Sequence, residues 1–332
     1  MKELIKKLTD ITSPSGNEDL IRKAITEEIK EYCDDLKIDR LGNLIAFKRG
    51  GGAKIQFAAH MDEIGVIVTY IDDQGFLRFS NVGGLSPFQL LGQRVRFTGG
   101  TLGVFGLEKL EQMKDWTLNK MYIDIGATSK AEAERKVAVG DFGGIIQDFA
   151  DLGRRVAAKS LDNRVGCAVL IEALKRVQSP RNDLYCTFTV QEEVGLRGAK
   201  TSAFAIEPDL GIAVDVTLTG DTPEAEKMAV GLGKGAAIKV KDQSVIAHRK
   251  VKELLVKLAE EKKIPYQLEV LTRGGTDSGA IHLSRAGVPS GVISVPARYV
   301  HSPSELVDVK DVEAAVQLVV AVMEAPIDAD NL

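Results

Sequence analysis

The 332 residues of this chain are enough to bury a large core, and the length predicts two domains rather than one. With 44% hydrophobic and 27% charged residues, the composition is typical of a soluble globular protein. The formal net charge of −4 argues against nucleic acid as the main partner, because that role needs a concentrated basic face. We also expect no membrane contact, since the longest apolar run near the C-terminus, 318–323, is too short to cross a bilayer.

The first eight residues mix charged with apolar side chains and predict an amphipathic helix rather than a signal peptide. Three cysteines are present, Cys33, Cys167 and Cys186, and no two of them have Cys-x-x-Cys spacing. This pattern favours buried thiols in a reducing compartment. We therefore predict a cytoplasmic protein.

The first 65 residues predict helices and strands in alternation. Apolar residues recur at helical spacing over 20–33, and a turn at Gly42-Asn43 precedes an apolar strand over 44–47. A second strand over 55–59 follows a Gly-rich turn and continues directly into His60-Met61-Asp62.

The pattern changes over 66–157, where Gly-rich turns separate short β-branched runs. These runs predict strands over 66–71, 76–79, 94–97, 102–105, 121–125 and 137–139. A helix over 129–136 is the one clear helical pattern in this stretch. The sequence therefore predicts a small all-β, barrel-like domain here.

Strands and helices alternate again from residue 159. We predict strands over 184–190, 210–214, 267–271 and 290–295, and helices over 162–177, 245–262, 276–286 and 308–323. Such alternation indicates an α/β fold with a mainly parallel sheet and helices on both faces. The predicted architecture is a discontinuous catalytic domain, 1–65 plus 158–332, interrupted by an inserted β domain, 66–157, with a role in oligomerisation.

Polar residues that end the predicted strands are the candidates for function, because ligands bind at the carboxyl ends of strands in open α/β sheets. Each candidate has an ordinary explanation when considered alone: a surface His-Asp pair, solvated glutamates, a helix N-cap or a turn residue. Together they would meet at one edge of the sheet. They are His60, Asp62, Asp162, Glu192, Glu193, Asp215 and His301.

Two imidazoles with several carboxylates and no cysteine predict a site for Zn²⁺, Co²⁺ or Mn²⁺. Two ions about 3.5–4 Å apart need a bridging carboxylate and roughly two further ligands each. Two histidines, two aspartates and one glutamate satisfy that requirement. The remaining glutamate of the Glu192-Glu193 pair is then free to accept a proton from water and deliver it to a leaving amine.

Six motifs carry a resemblance to the M42 family of metallo-aminopeptidases, which includes glutamyl, deblocking and tetrahedral TET enzymes. The resemblance extends over nearly the whole chain. The motifs are Ala58–Gly65, Leu161–Arg164, Gln191–Gly195, Asp215–Thr217, Gly275–Asp277 and Arg298–Pro303.

The resemblance implies a role for each candidate residue. It implies that His60 and Asp215 bind one metal ion, that Glu193 and His301 bind the other, and that Asp162 bridges them. By the same resemblance, Glu192 is the general base and Asp62 orients the His60 ring. Two divalent ions per subunit are expected, zinc or cobalt first and manganese as a further candidate. The expected partners are peptides with a free N-terminus and further copies of the chain, as dimers that build a dodecamer.

Three alternatives to an M42 aminopeptidase remain. M20 peptidases and deacylases use similar ligands but carry their extra domain after the Glu-Glu pair, whereas here it lies between Asp62 and Asp162. An endoglucanase would leave the metal ligands unexplained, and one Trp with 5% aromatic residues offers few platforms for sugars. A binding protein that had lost catalysis is the third, yet every candidate ligand is present. The preferred N-terminal residue cannot be inferred from these motifs.

Overall fold

The structure is a computed structural model that describes residues 1–332, the side chain of Asp330 excepted. Its strands form an 11-stranded sheet and a closed barrel of six strands. Within the described part of the chain, none of the helices combines the length and apolar content needed to span a bilayer. The fold class predicted from the sequence, an α/β sheet with an inserted all-β barrel, is confirmed.

Strands are numbered in chain order. Those of the large sheet are β1 (Asp35–Ile38), β2 (Leu44–Lys48), β3 (Lys54–His60), β10 (Ala150–Leu152), β11 (Arg155–Ala158), β12 (Asp183–Thr189), β13 (Leu210–Thr217), β14 (Ala236–Lys241), β15 (Tyr266–Val270), β16 (Ser290–Arg298) and β17 (Glu305–Asp308). Those of the barrel are β4 (Gly65–Ile71), β5 (Leu77–Val82), β6 (Arg94–Phe97), β7 (Leu102–Leu107), β8 (Met121–Asp124) and β9 (Phe142–Ile146).

Four parallel strands form the centre of the large sheet, in the order β12-β3-β13-β16. Every residue of β13 is buried, as expected for a strand covered on both faces. The flanks differ from this parallel pattern, because β1 and β2 on one side and β17, β11 and β10 on the other pair antiparallel. The last two, β10 and most of β11, lie inside the range 66–157 predicted for the insert but belong to the large sheet.

Helices cover both faces of the large sheet. They are α1 (Lys2–Thr9), α2 (Asp19–Ile29), α5 (Leu161–Arg176), α6 (Arg197–Ile206), α7 (Arg249–Glu261), α8 (Ser278–Ile281) and α9 (Val309–Glu324). Two short helices, α3 (Pro87–Leu90) and α4 (Lys130–Glu134), pack on the barrel instead. Side chains of α1, α2, α5, α7 and α9 share the main hydrophobic core with the central strands. On the other face, α6 and α8 pack through Ala199, Ala203 and Ile281 against Ala58.

Three predicted elements differ from the structure. The helix predicted over 276–286 is limited to α8, which ends at Ile281, and the turn that follows contains positive φ angles of 53° at Arg285 and 105° at Gly287. The strand predicted over 137–139 is a turn in which Val139 is exposed. The helix predicted to begin at 162 begins at Leu161, but Asp162 and Asn163 have non-helical backbone angles.

The barrel has a hydrophobic core of its own, which contains Val68, Leu77, Val95, Phe105 and Ile123 among other residues. Its first strand, β4, begins at Gly65, shortly after β3 ends at His60. This short connection places one end of the barrel beside the carboxyl ends of the central strands.

Candidate metal centre

The seven candidate residues meet at the carboxyl edge of the central strands. His60 is the last residue of β3 and pairs in register with Thr189, the last residue of β12. Glu192 and Glu193 follow β12, and Asp215 lies near the end of β13. Two residues come from other elements: Asp162 from the irregular first turn of α5, and His301 from the loop after β16. The Asp162–Asn163 peptide bond is cis.

The candidate ligands form two groups that share Asp162. His60, Asp162 and Asp215 make up the first group, and Asp162, Glu193 and His301 the second; within each, the potential ligand atoms lie within 4.8 Å of one another. His60 Nε2 lies 3.1 Å from Asp162 Oδ1 and 3.8 Å from Asp215 Oδ1. On the other side, His301 Nε2 lies 3.3 Å from Asp162 Oδ2 and 3.2 Å from Glu193 Oε2. Asp162 therefore presents one carboxylate oxygen to each histidine.

Asp62 connects the His60 ring to the Glu192-Glu193 segment. Its Oδ1 atom lies 3.5 Å from His60 Nδ1 and accepts a hydrogen bond of 3.1 Å from the backbone N–H of Glu192. Its Oδ2 atom accepts from Ser15 Oγ at 2.6 Å and from the backbone N–H of Glu193 at 3.3 Å. Asp62 is completely buried. It can therefore fix the orientation of the imidazole without binding a metal ion itself.

Glu305 holds the backbone of two candidate ligands, a role that the sequence did not predict. Its Oε2 atom accepts from the Asp162 N–H at 2.7 Å, and its Oε1 atom accepts from the His301 N–H at 2.8 Å. The carboxylate is buried at 2% exposure. The one available signal was its position four residues after His301, which is not specific enough to identify a positioning residue.

The barrel also reaches this site through Gly83 and Gly84, which follow β5. A Cβ atom at Gly84 would lie 2.7 Å from His301 Nδ1, and one at Gly83 would lie 3.1 Å from Glu193 Cβ. Gly83 also has a φ of 77°, a conformation that favours glycine. No larger residue fits here unless the His301 ring moves, so the barrel forms part of the wall of the centre.

Burial and crowding of carboxylates dominate the electrostatics. Desolvation by burial raises the pKa of Glu192 well above its ordinary value; His60 opposes this, and Asp215 and Glu193 add to it. Burial likewise raises the pKa of Asp215, and Asp162 reinforces the shift. Burial alone would lower the pKa of His301, but Asp162 and Glu193 raise it to about 11. The side chains alone thus leave an excess of negative charge.

The donor set fits divalent metal ions. In the part of the chain that the structure describes, no lysine or arginine nitrogen lies within 4.0 Å of the carboxylates of Asp162, Glu192, Glu193 or Asp215. Buried carboxylates need a compensating cation or a proton. Two imidazoles and three carboxylates in two groups with a shared aspartate are the ligand types of zinc-like ions.

The two remaining histidines lie outside the centre. His282 Nδ1 lies 2.9 Å from the Ser278 carbonyl oxygen, and His248 precedes α7.

Asp277 lies close behind the centre, where Thr189 Oγ1 donates to its Oδ2 atom at 2.5 Å. Burial raises the pKa of Asp277 to about 6.

A cavity of about 660 Å³ opens beside the metal centre. It is lined by the candidate ligands and Glu192, by apolar side chains such as Val216 and Leu271, and by Lys239 and Arg273. A volume of this size is typical of small-molecule sites. The arrangement can therefore bind a substrate whose reacting group meets the metal centre.

Comparison with known proteins identifies relatives over the full fold. The model of the M42 glutamyl aminopeptidase family matches residues 42–318. Lysyl aminopeptidase of Pyrococcus furiosus is 37% identical, covering 97% of this chain and 96% of the relative. The structure of aminopeptidase APDkam598 from Desulfurococcus kamchatkensis superposes with a TM-score of 0.94 at 44% identity, covering 97% of this chain and 94% of that one. The dodecameric PhTET1-12s structure gives a TM-score of 0.89 at 38% identity, covering 97% and 98%.

Proposed function

Since the chain belongs to the M42 family of aminopeptidases, it is a peptidase hydrolase, and we propose that it removes N-terminal residues from peptides with the aid of two divalent metal ions. The observation that carries the proposal is the pair of three-residue groups that share Asp162. Beside them lies Glu192, a half-buried carboxylate that belongs to neither group.

One ion would be held by His60, Asp162 and Asp215, and the other by Asp162, Glu193 and His301. Zinc and cobalt suit these nitrogen and oxygen donors best, and manganese is the next candidate. When bound, such a pair supplies Lewis-acid polarisation of the scissile carbonyl and lowers the pKa of the attacking water.

Glu192 is the proposed general base. Its Oε2 atom lies 3.9 Å from His60 Nε2, so it borders the centre without occupying the ligand positions of either group. Burial raises its pKa, which favours a carboxylate that holds the proton taken from water until the leaving amine accepts it. Asp62 would keep Glu192 in place through the backbone hydrogen bond at 3.1 Å.

The excess of carboxylates supports recognition of a free α-amine. A negatively charged pocket attracts an α-ammonium group and repels a C-terminal carboxylate. A carboxypeptidase would need a cation for that carboxylate, and Arg298 lies three residues before His301 in the chain. In the structure Arg298 is committed elsewhere, because its guanidinium donates to Asp221 Oδ1 at 3.0 Å and to the Asp221 carbonyl at 3.2 Å.

The test compares one peptide in three forms: free, N-acetylated and C-amidated. We expect cleavage of the free and amidated forms and strong suppression on acetylation, because the acetyl group removes the charged amine. Activity should disappear in chelator and return with Co²⁺, Zn²⁺ or Mn²⁺. Full activity of dialysed, metal-free protein in excess chelator would exclude the metal mechanism. Loss of activity on amidation alone would indicate a carboxypeptidase instead of an aminopeptidase.

We further propose that the barrel is the inserted domain of a cytoplasmic homo-oligomer in which dimers build a dodecamer. The dodecameric relative supports this, as do exposed apolar residues on the barrel side: Phe88 is 55% exposed and stacks on Trp116, and Leu91 is 44% exposed. The three free cysteines are compatible with a reducing compartment. Light scattering tests the assembly: we expect a mass of several subunits that falls in the variant Phe88→Glu/Leu91→Glu, whereas a monomeric wild type would refute it.

A further inference from the structure

One wall of the cavity is formed by the continuation of the strand that carries Asp215. Val216 and Leu218 follow Asp215 along the chain, and Leu271 lines the cavity with them. When an α-amine lies beside the acidic ligands, the side chain of the first substrate residue extends along this wall. The residues on this wall therefore determine which N-terminal side chains are accepted.

The one buried cation on this wall is Lys239 of β14, which is 1% exposed. Its ammonium nitrogen lies 2.5 Å from Glu269 Oε1 and 3.4 Å from Asp242 Oδ2. Thr217 Oγ1 donates to the same Glu269 oxygen at 2.7 Å. Burial alone would lower the pKa of Lys239, but the neighbouring Glu269 outweighs this effect and raises the pKa above its ordinary value. The side chain is therefore an ammonium.

The order of these groups from the cavity outward is important. Lys239 lines the cavity, whereas Glu269 and Asp242 are fully buried behind it and are not part of the wall. A second cationic residue, Arg273, also borders the cavity, but its side chain is 66% exposed and its nitrogen lies 3.9 Å from Glu226. Solvent therefore screens Arg273, and the buried ion pair determines the charge that the substrate side chain meets.

This arrangement disfavours substrate side chains of either charge. A basic side chain would approach the Lys239 ammonium directly. An acidic side chain would have to share that ammonium with Glu269, which is already within 2.5 Å, and would bring two carboxylates together in a desolvated pocket. A neutral side chain avoids both penalties and gains contact with the apolar wall.

We propose that the Lys239–Glu269 ion pair makes this pocket selective for uncharged, mainly apolar N-terminal side chains. The inference rests on the proposed aminopeptidase function and names the substrate class of that site. Lys239 and Glu269 are then specificity determinants, and the preference can be changed in either direction by removing one partner.

Two substitutions test the ion pair in opposite directions. Glu269→Gln preserves the size of the side chain and frees the ammonium, so kcat/KM for a glutamyl p-nitroanilide should rise at least roughly tenfold relative to the leucyl compound. Lys239→Met removes the ammonium and leaves the two acids, so the lysyl-to-leucyl ratio should rise by a similar factor, roughly tenfold. A general disturbance of the fold would lower activity on all three substrates instead of moving the ratios apart.

The matched control is Glu28→Gln, which removes a carboxylate from the Lys175–Glu28 ion pair on the far helical side of the sheet and should leave both ratios unchanged. The wild type should cleave the leucyl compound in preference to both charged ones. A wild-type preference for glutamyl or lysyl substrate, or an unchanged glutamyl-to-leucyl ratio in folded Glu269→Gln, overturns the inference alone. Failure of the metal-loaded protein to cleave any of the three overturns the proposed function, and this inference with it. Because Gln can still accept from Thr217, the Glu269→Gln result decides the matter even if Lys239→Met does not fold.

Discussion

Two buried charge clusters lie side by side in this protein and differ in how their carboxylates are compensated. The metal-centre cluster consists of Glu192 and the five candidate ligands, which are His60, Asp162, Glu193, Asp215 and His301. The Glu63 cluster consists of Glu63, Lys159, Ser160 and Arg164. The two are adjacent along the chain, because Asp62 and Glu63 are neighbours and Ser160 stands two residues before Asp162.

The Glu63 cluster is complete without any ligand. Glu63 Oε2 lies 2.5 Å from Lys159 Nζ and accepts a hydrogen bond from Ser160 Oγ, while Oε1 accepts from the Ser13 N–H at 2.6 Å. Arg164 contributes a second cation at 3.8 Å. Burial alone would raise the pKa of Glu63, but Lys159 and Arg164 lower it below its ordinary value.

The metal-centre cluster has the opposite balance. Its acids have no lysine or arginine partner among the described residues, and the pKa values of Glu192 and Asp215 are raised instead. Burial therefore raises the pKa of the acids that lack a nearby cation from the chain, whereas the pKa of Asp162, which lies between two histidines, is lowered as that of Glu63 is. A buried acidic cluster that the chain does not neutralise is one that needs an external cation.

The largest expected effect concerns the proposed base, Glu192, and distinguishes it from the ligands of the metal-centre cluster. Glu192→Gln preserves shape but cannot accept a proton, so kcat should fall by roughly 10²–10⁴-fold. Metal content, measured by elemental analysis, should stay at the wild-type level, because Glu192 belongs to neither ligand group. Loss of one metal ion per subunit in this variant would instead indicate that the roles of Glu192 and Glu193 are exchanged.

The second prediction concerns the Glu63 cluster. Lys159→Met leaves Glu63 buried with only the more distant Arg164, and the free energy of unfolding should fall by about 3–5 kcal/mol. The matched control is Lys2→Met, which removes a cation from the exposed ion pair with Asp151 and should change stability by less than about 1 kcal/mol. Equal effects of the two substitutions in urea titrations would contradict the assignment of Lys159 as the structural counter-ion.

Removing an acid from the metal-centre cluster should instead increase the free energy of unfolding when metal is absent. Asp215→Asn can still accept from the Val216 N–H, as Asp215 does at 2.8 Å, and it eliminates a buried charge. Because burial raises the pKa of Asp215, its charged form destabilises the metal-free protein at neutral pH. In excess chelator we expect a gain of about 1–3 kcal/mol.

Saturating Zn²⁺ or Co²⁺ supplies the control for Asp215→Asn, because the wild type should then be the more stable protein. Thermal unfolding of one preparation, with chelator and then with metal, measures the stability difference between the variant and the wild type under both conditions. A variant that is less stable than the wild type under both conditions would remove the contrast between the two clusters.

The sequence predicted the ligands but not the residues that position them. His60, Glu193 and Asp215 could be found because each follows or ends an apolar run, and the ends of parallel strands converge at one edge. Glu305 and Gly84 could not be found in this way, because their roles depend on contacts with His301 made by a different strand and by the barrel. Nor did the strand pattern show that Glu63, the neighbour of Asp62, is compensated by cations, since these are Arg164 of α5 and Lys159, two residues before that helix.

The parallel centre of the sheet was predictable for the same reason, because buried parallel strands appear as continuous apolar runs such as 210–214. The antiparallel flanks were not, since β10, β11 and β17 are short and their pairing is set by tertiary contacts. Lys239 was also missed, because its burial depends on Glu269 from the neighbouring strand β15.

The smallest expected effect concerns Glu18, a buried acid beside Asp62 that belongs to neither cluster. Its Oε1 atom accepts from the Gly16 N–H at 2.6 Å and from the Gln191 N–H at 3.2 Å, and its exposure is 4%. Burial raises its pKa from 4.5 to about 7 and outweighs the backbone hydrogen bonds, with a further contribution from Asp62. Between these two pH values the folded protein binds more protons at Glu18 than the unfolded chain does. Stability must therefore fall as pH rises from 4.5 to 7, and the loss persists above pH 7.

Glu18→Gln keeps the accepting oxygen but cannot ionise, so it should remove this part of the pH dependence. At pH 8 the free energy of unfolding of the variant should exceed that of the wild type by roughly 1–2 kcal/mol. This range is smaller than the free energy that corresponds to the whole pKa shift, because the site is partly hydrated. The difference should shrink towards pH 4, where Glu18 is protonated in both states. Urea titrations in chelator over this pH range make the measurement, with Glu31→Gln as an exposed control that should follow the wild type. A stability difference independent of pH would contradict the raised pKa of Glu18 and show that this side chain ionises in the folded protein as readily as in the unfolded chain.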